Sequence, residues 1–339
     1  MERKKFISSA LLTIGSLKAM SASLSASEAD DKTSKIPPYL KKGDTIAICS
    51  PAGYISVIDC TDAVNMMESW GFKIKVGSSI GKKDFTFGGT DEERLADFQQ
   101  MLDDTSVKAI MCARGGYGII RIIDKLNFST FVKKPKWIIG FSDATVLHSH
   151  INKNFGIATI HSKMCNSFVN PLIAEPIQLE TLDSIRKCLS GDKMIYNIPA
   201  NTNNKKGKAK GILIGGNLKT IESLAGSASD INTKNKILFV EDTGEYLYSI
   251  DRMFFNLKRS GKLSQLAGLI VGGLKIKKEE EGSEFGKTGE QIVLEKVSAY
   301  NYPVCFDFPV GHQKNNFALK CGVMHELTVN IDDNYLREL

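Results

Sequence analysis

Apolar and polar positions along the chain change period repeatedly, and each change marks an element. A short apolar run over 45–49 breaks at Ser50-Pro51-Ala52-Gly53, as a buried strand does on passing into a loop. Ala63, Met66, Met67 and Trp70 then recur at helical spacing, and 72–76 reads as a strand. Residues 91–102 have the caps and periodicity of another helix. A strand over 108–112 leads into the glycine-rich loop Arg114-Gly115-Gly116-Tyr117-Gly118, and a helix is predicted through Ile119, Ile120, Ile123 and Leu126. The strand over 137–140 ends at a turn holding Ser142, and a helix begins over 144–150. This alternation predicts an α/β fold with a mostly parallel sheet covered on both faces.

Between 191 and 210 the apolar periodicity fades into Asn and Lys around Pro199, which reads as a connection between domains. The pattern then restarts, with strands expected over 211–214 and 237–240, an apolar run over 269–271, and further strands around 304–306 and 327–331. Helices are expected over 218–224, 250–260 and near 292–300. No segment repeats at a fixed period, which excludes a solenoid. With 339 residues the chain exceeds the size at which one core usually keeps growing. The expected division is 1–36 as leader and linker, 37–190 as a first domain carrying Ser142, 191–210 as linker, and 211–339 as a second domain.

Composition narrows the class. The chain is 42% hydrophobic and 24% charged, as ordinary soluble globular proteins are. Its 44 basic residues barely exceed its 38 acidic ones, and much of the excess sits at Arg3, Lys4, Lys5 and within 205–210. No basic stripe is interleaved with aromatics, so no nucleic-acid partner is expected. Met1 to Lys5, the apolar stretch 6–14 and the small residues of 21–27 read together as a signal peptide. That apolar stretch is too short to span a bilayer, so no stable membrane insertion is expected. Export, to a periplasmic space, is the expected location, with an uncleaved tail on a cytoplasmic enzyme as the alternative. The seven cysteines are scattered, form no CxxC and stand at no zinc-ligand spacing, so neither a disulfide framework nor a metal site is expected. That cysteine usage argues mildly against an oxidising compartment.

Candidate chemistry gathers at strand ends. Gly140-Phe141-Ser142-Asp143-Ala144 puts a serine between an apolar strand and a helix, where a sharp turn lifts its hydroxyl above the sheet edge. A serine in such a turn is, taken alone, more often an N-cap. The glycines of the loop at 114–118 let backbone N–H groups approach a ligand, and the amides of Gly116 and Asp143 are the candidate oxyanion donors. Val240-Glu241-Asp242-Thr243-Gly244-Glu245 sets carboxylates directly after a buried strand, with Glu241 nearest the sheet. Pro309-Val310-Gly311-His312 places a histidine in a turn beside a strand end. The other histidines are His148, His150, His161 and His325.

Taken in order, these motifs carry a resemblance. Gly43-Asp44-Thr45-Ile46-Ala47 with Ser50-Pro51-Ala52-Gly53, Arg114-Gly115-Gly116-Tyr117-Gly118, Gly140-Phe141-Ser142-Asp143, Gly215-Gly216-Asn217-Leu218, Glu241 to Glu245 with Asp251-Arg252, and Gly311-His312 together resemble the LD-carboxypeptidase family. The resemblance runs from about Pro37 to the C-terminus. That family comprises muramoyl-tetrapeptide carboxypeptidases and microcin C self-immunity hydrolases, and uses a Ser, Glu, His triad without metal or other cofactor. It implies Ser142 as nucleophile, His312 as general base and Glu241 as the residue orienting the imidazole. It also implies a flavodoxin-like N-terminal nucleophile domain, a smaller mixed α/β C-terminal domain, and a homodimer. The implied substrate is a murein tetrapeptide, cut between the L-centre of its third residue and terminal D-alanine. Arg114 is a candidate anchor for a substrate carboxylate or a partner in a structural salt bridge, and Asn217 a substrate contact or a helix cap. Where the family shows His-Gly-Pro, this chain reads His161-Ser162-Lys163-Met164, a departure that bears on substrate preference. Three other readings stay open: hydrolysis of peptidyl-nucleotide antibiotics, non-catalytic muropeptide binding, and a generic esterase.

Overall fold

In the computed structural model, which describes residues 35–331 and 334–339, the chain runs first through β1 (Thr45–Cys49), α1 (Thr61–Ser69), β2 (Lys73–Val76), α2 (Asp91–Asp103) and β3 (Val107–Cys112). It continues through α3 (Ser129–Lys133), β4 (Trp137–Gly140), α4 (Thr145–Phe155), β5 (Thr159–His161), α5 (Pro176–Ser190) and β6 (Ile195–Asn197). Next come β7 (Gly207–Asn217), α6 (Leu218–Ser223), β8 (Lys236–Glu245), α7 (Leu247–Arg259), β9 (Gly268–Ile276) and α8 (Gly289–Val297). The last strands are β10 (Val304–Cys305), β11 (Leu319–Cys321), β12 (Met324–Val329) and β13 (Tyr335–Glu338). The signal-like segment lies outside the described residues, among which no helix is long and apolar enough to cross a membrane.

The first sheet has the order β11-β5-β4-β3-β1-β2. Its strands β1 to β5 are parallel, and β11 joins β5 antiparallel. The order 2-1-3-4-5 is the flavodoxin-like winding, which leaves a crevice at the carboxyl ends where β1 and β3 diverge. Along β1, Ile46 and Ile48 enter one core and Ala47 and Cys49 the other, so the strand reads as a continuous apolar run because both its faces are buried. The second sheet has the order β10-β9-β8-β7-β12-β13-β6, with β7 to β10 parallel and the rest antiparallel. On its outer side α7 buries Ile250, Met253, Phe254 and Leu257, a helical stripe. Its inner residues Leu213, Phe239 and Ile270 share one core with Ile48, Met111 and Ile139 of the first sheet.

The two sheets meet at the start of α4. Gly216 of β7 has φ +147°, and a Cβ there would lie 2.4 Å from Thr145 Oγ1, so only glycine permits the approach. One residue on, the Asn217 amide donates to Thr145 Oγ1 at 3.0 Å.

Several sequence expectations change here. The helix expected through Ile119 to Leu126 is instead two short 3-10 turns, Ile119–Arg121 and Ile123–Lys125. The Ile119 amide is engaged by the Asp143 side chain, and the segment is too short to build an α-helical ladder before α3. The polar stretch 191–210 contains β6 and the start of β7. In that start Lys208 and Lys210 are exposed while Gly207 and Ala209 are half-buried, which is the two-residue period of a strand with one face in water. β11 has no counterpart in the expected elements, because Lys320 interrupts its three residues, buried against Glu338 with its Nζ 3.0 Å from Oε2. All seven cysteines are buried free thiols.

Arg94 of α2 braces the loops at the first sheet's carboxyl edge. Fully buried, it donates from Nη1 to the carbonyls of Pro51 at 2.5 Å and Gly118 at 2.9 Å, from Nε to Gly89 at 3.3 Å, and pairs through Nη2 with Asp91. Replacing it by methionine keeps the volume and strands these acceptors in a dry site, a loss expected at about 3 kcal/mol. Urea unfolding of Arg94→Met checks this; a midpoint equal to that of the unaltered chain would contradict the brace.

Candidate active site

Ser142 stands two residues past the end of β4 with φ +61°, a left-handed conformation that costs a non-glycine residue roughly 1 kcal/mol. Its hydroxyl caps neither the 3-10 turn it begins nor α4, which removes the capping role and leaves the hydroxyl half-buried at the crevice. Gly115 lies so close that a Cβ on it would stand 3.0 Å from Ser142 Oγ. The amides of Gly116 and Asp143 have no intramolecular acceptor among the described residues, so two donors remain free beside the serine.

The Asp143 side chain turns away from the serine and accepts the Ile119 amide at 2.8 Å, tying the serine turn to the end of the glycine loop. Burial pushes its carboxyl up to about 6, against the lowering effect of the backbone donors. Arg114 is exposed on the same loop, donates once, to the Tyr54 carbonyl at 2.9 Å, and pairs with no carboxylate among the described residues.

Glu241 comes from the second sheet. It pairs with Asn217 in the β7 register and falls where the β8–β9 pairing slips between Val240 and Asp242. Such a bulge re-aims a side chain without ending the strand, and β8 accordingly runs on to Glu245 beyond its expected end at 240. Glu241 is fully buried, and its Oε2 accepts a hydrogen bond from His312 Nδ1 at 2.7 Å. That bond selects the imidazole tautomer and leaves Nε2 as the basic nitrogen. The His312 ring packs against Phe141, the residue before Ser142, with centroids 4.8 Å apart. No hydrogen bond joins Ser142 to His312, so geometry brings the glutamate and histidine together fully and the serine alongside them.

The remaining histidines have other environments. Burial pushes His148 down to about 4, with Nε2 on the Gly140 carbonyl at 2.9 Å, and His325 likewise to about 4. His161 is fully buried, which pushes its pKa well below the usual imidazole range, and His150 is bound to Ser229 Oγ at 2.9 Å. Of the two roles open for Asn217, the structure shows the cap: Oδ1 accepts the Thr220 amide at 3.0 Å, and Nδ2 donates to Asp242 at 3.1 Å. Asp242 in turn accepts the Lys219 amide at 2.9 Å, and burial pushes its carboxyl up to about 6. No cluster of three or more His, Cys, Asp or Glu is placed to hold a metal ion among the described residues.

Thr145, Asp242 and Arg94 hold this site together; Thr145 and Arg94 carry no motif that marks them, and the acidic motif containing Asp242 does not reveal its role at the amino end of α6. Thr145 had one indirect signal, since Gly215-Gly216 before a helix implies that something approaches the backbone closely.

Comparison with known proteins identifies the family and the fold. Residues 46–162 match the family model described as the LD-carboxypeptidase N-terminal domain, and residues 210–327 the one described as its C-terminal domain. The chain is 33% identical over 292 residues to a probable murein peptide carboxypeptidase of Bacillus subtilis, covering 84% of this chain and 89% of that one. It is 27% identical over 327 residues to the microcin C7 self-immunity protein MccF of Escherichia coli, covering 87% and 92%. The crystal structure of muramoyltetrapeptide carboxypeptidase from Oxalobacter formigenes superposes with a TM-score of 0.78 at 26% identity, over 87% of this chain and 98% of that one.

The raised Asp143 pKa has a measurable consequence. The folded state holds this proton more tightly than the unfolded chain, so the carboxyl's contribution to stability is complete at low pH and is lost as pH rises through about 6. Between roughly pH 4 and 6 the unaltered chain is expected to lose up to about 3 kcal/mol relative to Asp143→Asn, which cannot titrate. Denaturant unfolding of both proteins across that range checks the sign; parallel pH profiles would contradict the assignment.

Proposed function

Because this chain belongs to the LD-carboxypeptidase family, we propose that it is a serine-type carboxypeptidase releasing terminal D-alanine from murein tetrapeptides, at the amide formed by the L-centre of the third residue. The observation that carries the proposal is the 2.7 Å hydrogen bond from His312 to a fully buried Glu241, beside the turn that presents Ser142. A serine hydroxyl becomes nucleophilic only when an oriented base takes its proton, and this pair supplies the oriented base.

Ser142 Oγ attacks the scissile carbonyl while His312 Nε2 accepts its proton, and Glu241 stabilises the imidazolium so formed. The oxyanion receives the free amides of Gly116 and Asp143. Collapse of the intermediate breaks the C–N bond, His312 delivers the proton to the departing amine, and D-alanine leaves. Water, deprotonated by the same imidazole, then cleaves the acyl-serine ester. The Ser142–His312 hydrogen bond closes when substrate occupies the crevice, as catalytic hydrogen bonds do. Arg114, with most of its guanidinium free, suits the terminal carboxylate.

A second reading, hydrolysis of a peptidyl-nucleotide antibiotic, has one observation in its favour. Tyr117 of the glycine loop is 56% exposed, a flat surface on which a nucleobase can stack.

Mass spectrometry of tetrapeptide and pentapeptide incubations, with and without EDTA, tests the proposal. Loss of one D-alanine from the tetrapeptide only, unchanged by chelation, is expected; no cleavage there, with turnover of a peptidyl-nucleotide, would transfer the assignment to the second reading. Glu241→Gln is expected to lower kcat on the order of a thousandfold, and Glu245→Gln by no more than a few-fold. Steady-state kinetics checks the order, and the reverse order would mean that Glu245 orients the base.

A further inference from the structure

A lysine ammonium sits beside the candidate catalytic residues with no carboxylate paired to it among the described residues. Lys163 lies just past β5, whose His161 pairs with Gly140 and whose neighbour Ser162 donates to the Gly140 carbonyl at 3.0 Å, so its backbone runs alongside the turn presenting Ser142. The next residue, Met164, places its methyl 3.3 Å from where a Gly115 Cβ would stand, the same point that lies 3.0 Å from Ser142 Oγ. The Lys163 side chain extends toward the second sheet, and its Nζ donates to the carbonyl of Gln313, next to His312, at a long 3.4 Å.

Lys163 is 7% exposed, and that carbonyl is the one polar partner of its ammonium among the described residues. A buried ammonium is normally paired with a carboxylate, because losing its hydration is otherwise uncompensated. None pairs with it among the described residues; the charged group acting on it is instead another cation, Lys275. Lys275 is exposed at the end of β9, opposite Thr243 of β8, where Gly273 approaches the Gln313 side chain. Burial, with Lys275 adding to it, holds the Lys163 pKa below the usual lysine range, so a bound anion would restore the charge the site disfavours.

We propose that Lys163, assisted by Lys275, forms a carboxylate-binding subsite beside the His312 loop, and that this subsite selects which peptides the site accepts. The inference rests on the peptidase reading above. A murein tetrapeptide whose third residue is diaminopimelate offers two carboxylates within reach of the scissile bond: the terminal one, and the distal one on the third residue.

Calorimetric binding to the Ser142→Ala chain, which removes turnover, tests this with three peptides. The first carries both carboxylates, the second has the distal carboxyl amidated, and the third has the terminal carboxyl amidated. Adding Lys163→Met, of similar length and without charge, is expected to weaken the first peptide about tenfold or more. That penalty should vanish for whichever amidated peptide lacks the carboxylate that is read, which identifies its source. Lys275→Gln, at an exposed position where folding is not at stake, should show the same peptide selectivity with a smaller loss. Weakening of all three peptides alike, of none of them, or no binding of any, would overturn the subsite. Failure of the chain with Ser142 intact to release D-alanine, with the amide selectivity present, would overturn the peptidase reading and leave the subsite standing.

Discussion

The contact of Thr145 with the end of β7 is the constraint on which the site depends. Ser142 and Glu241 belong to different sheets, so their separation is set by how those sheets dock rather than by any local geometry. Gly216 admits Thr145 to within a distance that a methyl group would forbid, and the Asn217 amide then fixes Thr145 Oγ1 in place. Thr145 begins α4 three residues after the serine, and Asn217 stands beside Glu241 in register. A single hydrogen bond therefore locks the serine turn against the strand carrying the glutamate. The shared core beneath it, from Met111 and Ile139 to Leu213 and Phe239, keeps that docking rigid.

Electrostatics then separates residues that composition alone leaves equivalent. Two adjacent carboxylates, Glu241 and Asp242, are both buried, yet one meets an imidazole and the other closes the amino end of α6. Five histidines are available, and only His312 is half-buried against a carboxylate. The serine turn shows the same division of labour, with the Asp143 amide free toward the crevice while its side chain anchors the glycine loop. Strain at Ser142 is sustained because Gly115, Asp143 and α4 hold the turn from three sides.

Much of this was legible in the sequence, for physical reasons that also mark where reading stops. Strands such as β1 and β4 announce themselves because both their faces are buried, giving unbroken apolar runs. β11 does not, since its central Lys320 is buried by an ion pair formed only in the folded chain, and the start of β7 looks like a linker because its outward face is lysine. The serine, glutamate and histidine stand at strand ends within short motifs. Thr145, Asp242 and Arg94 act through partners far away in sequence, and so does Lys163, whose meaning lies in its having no paired carboxylate among the described residues. Periodicity reports local structure, and these residues are defined by contacts that only tertiary packing creates.

The central claim is that the Ser142 hydroxyl is made uniquely nucleophilic by His312 held on Glu241. Fluorophosphonate labelling, mapped by peptide mass spectrometry, tests it without assuming any substrate. The account predicts one stoichiometric adduct, on Ser142, that fails to form when Glu241 is changed to Gln. Labelling at another residue, or equally fast labelling of Ser142 without the Glu241 carboxylate, would contradict it.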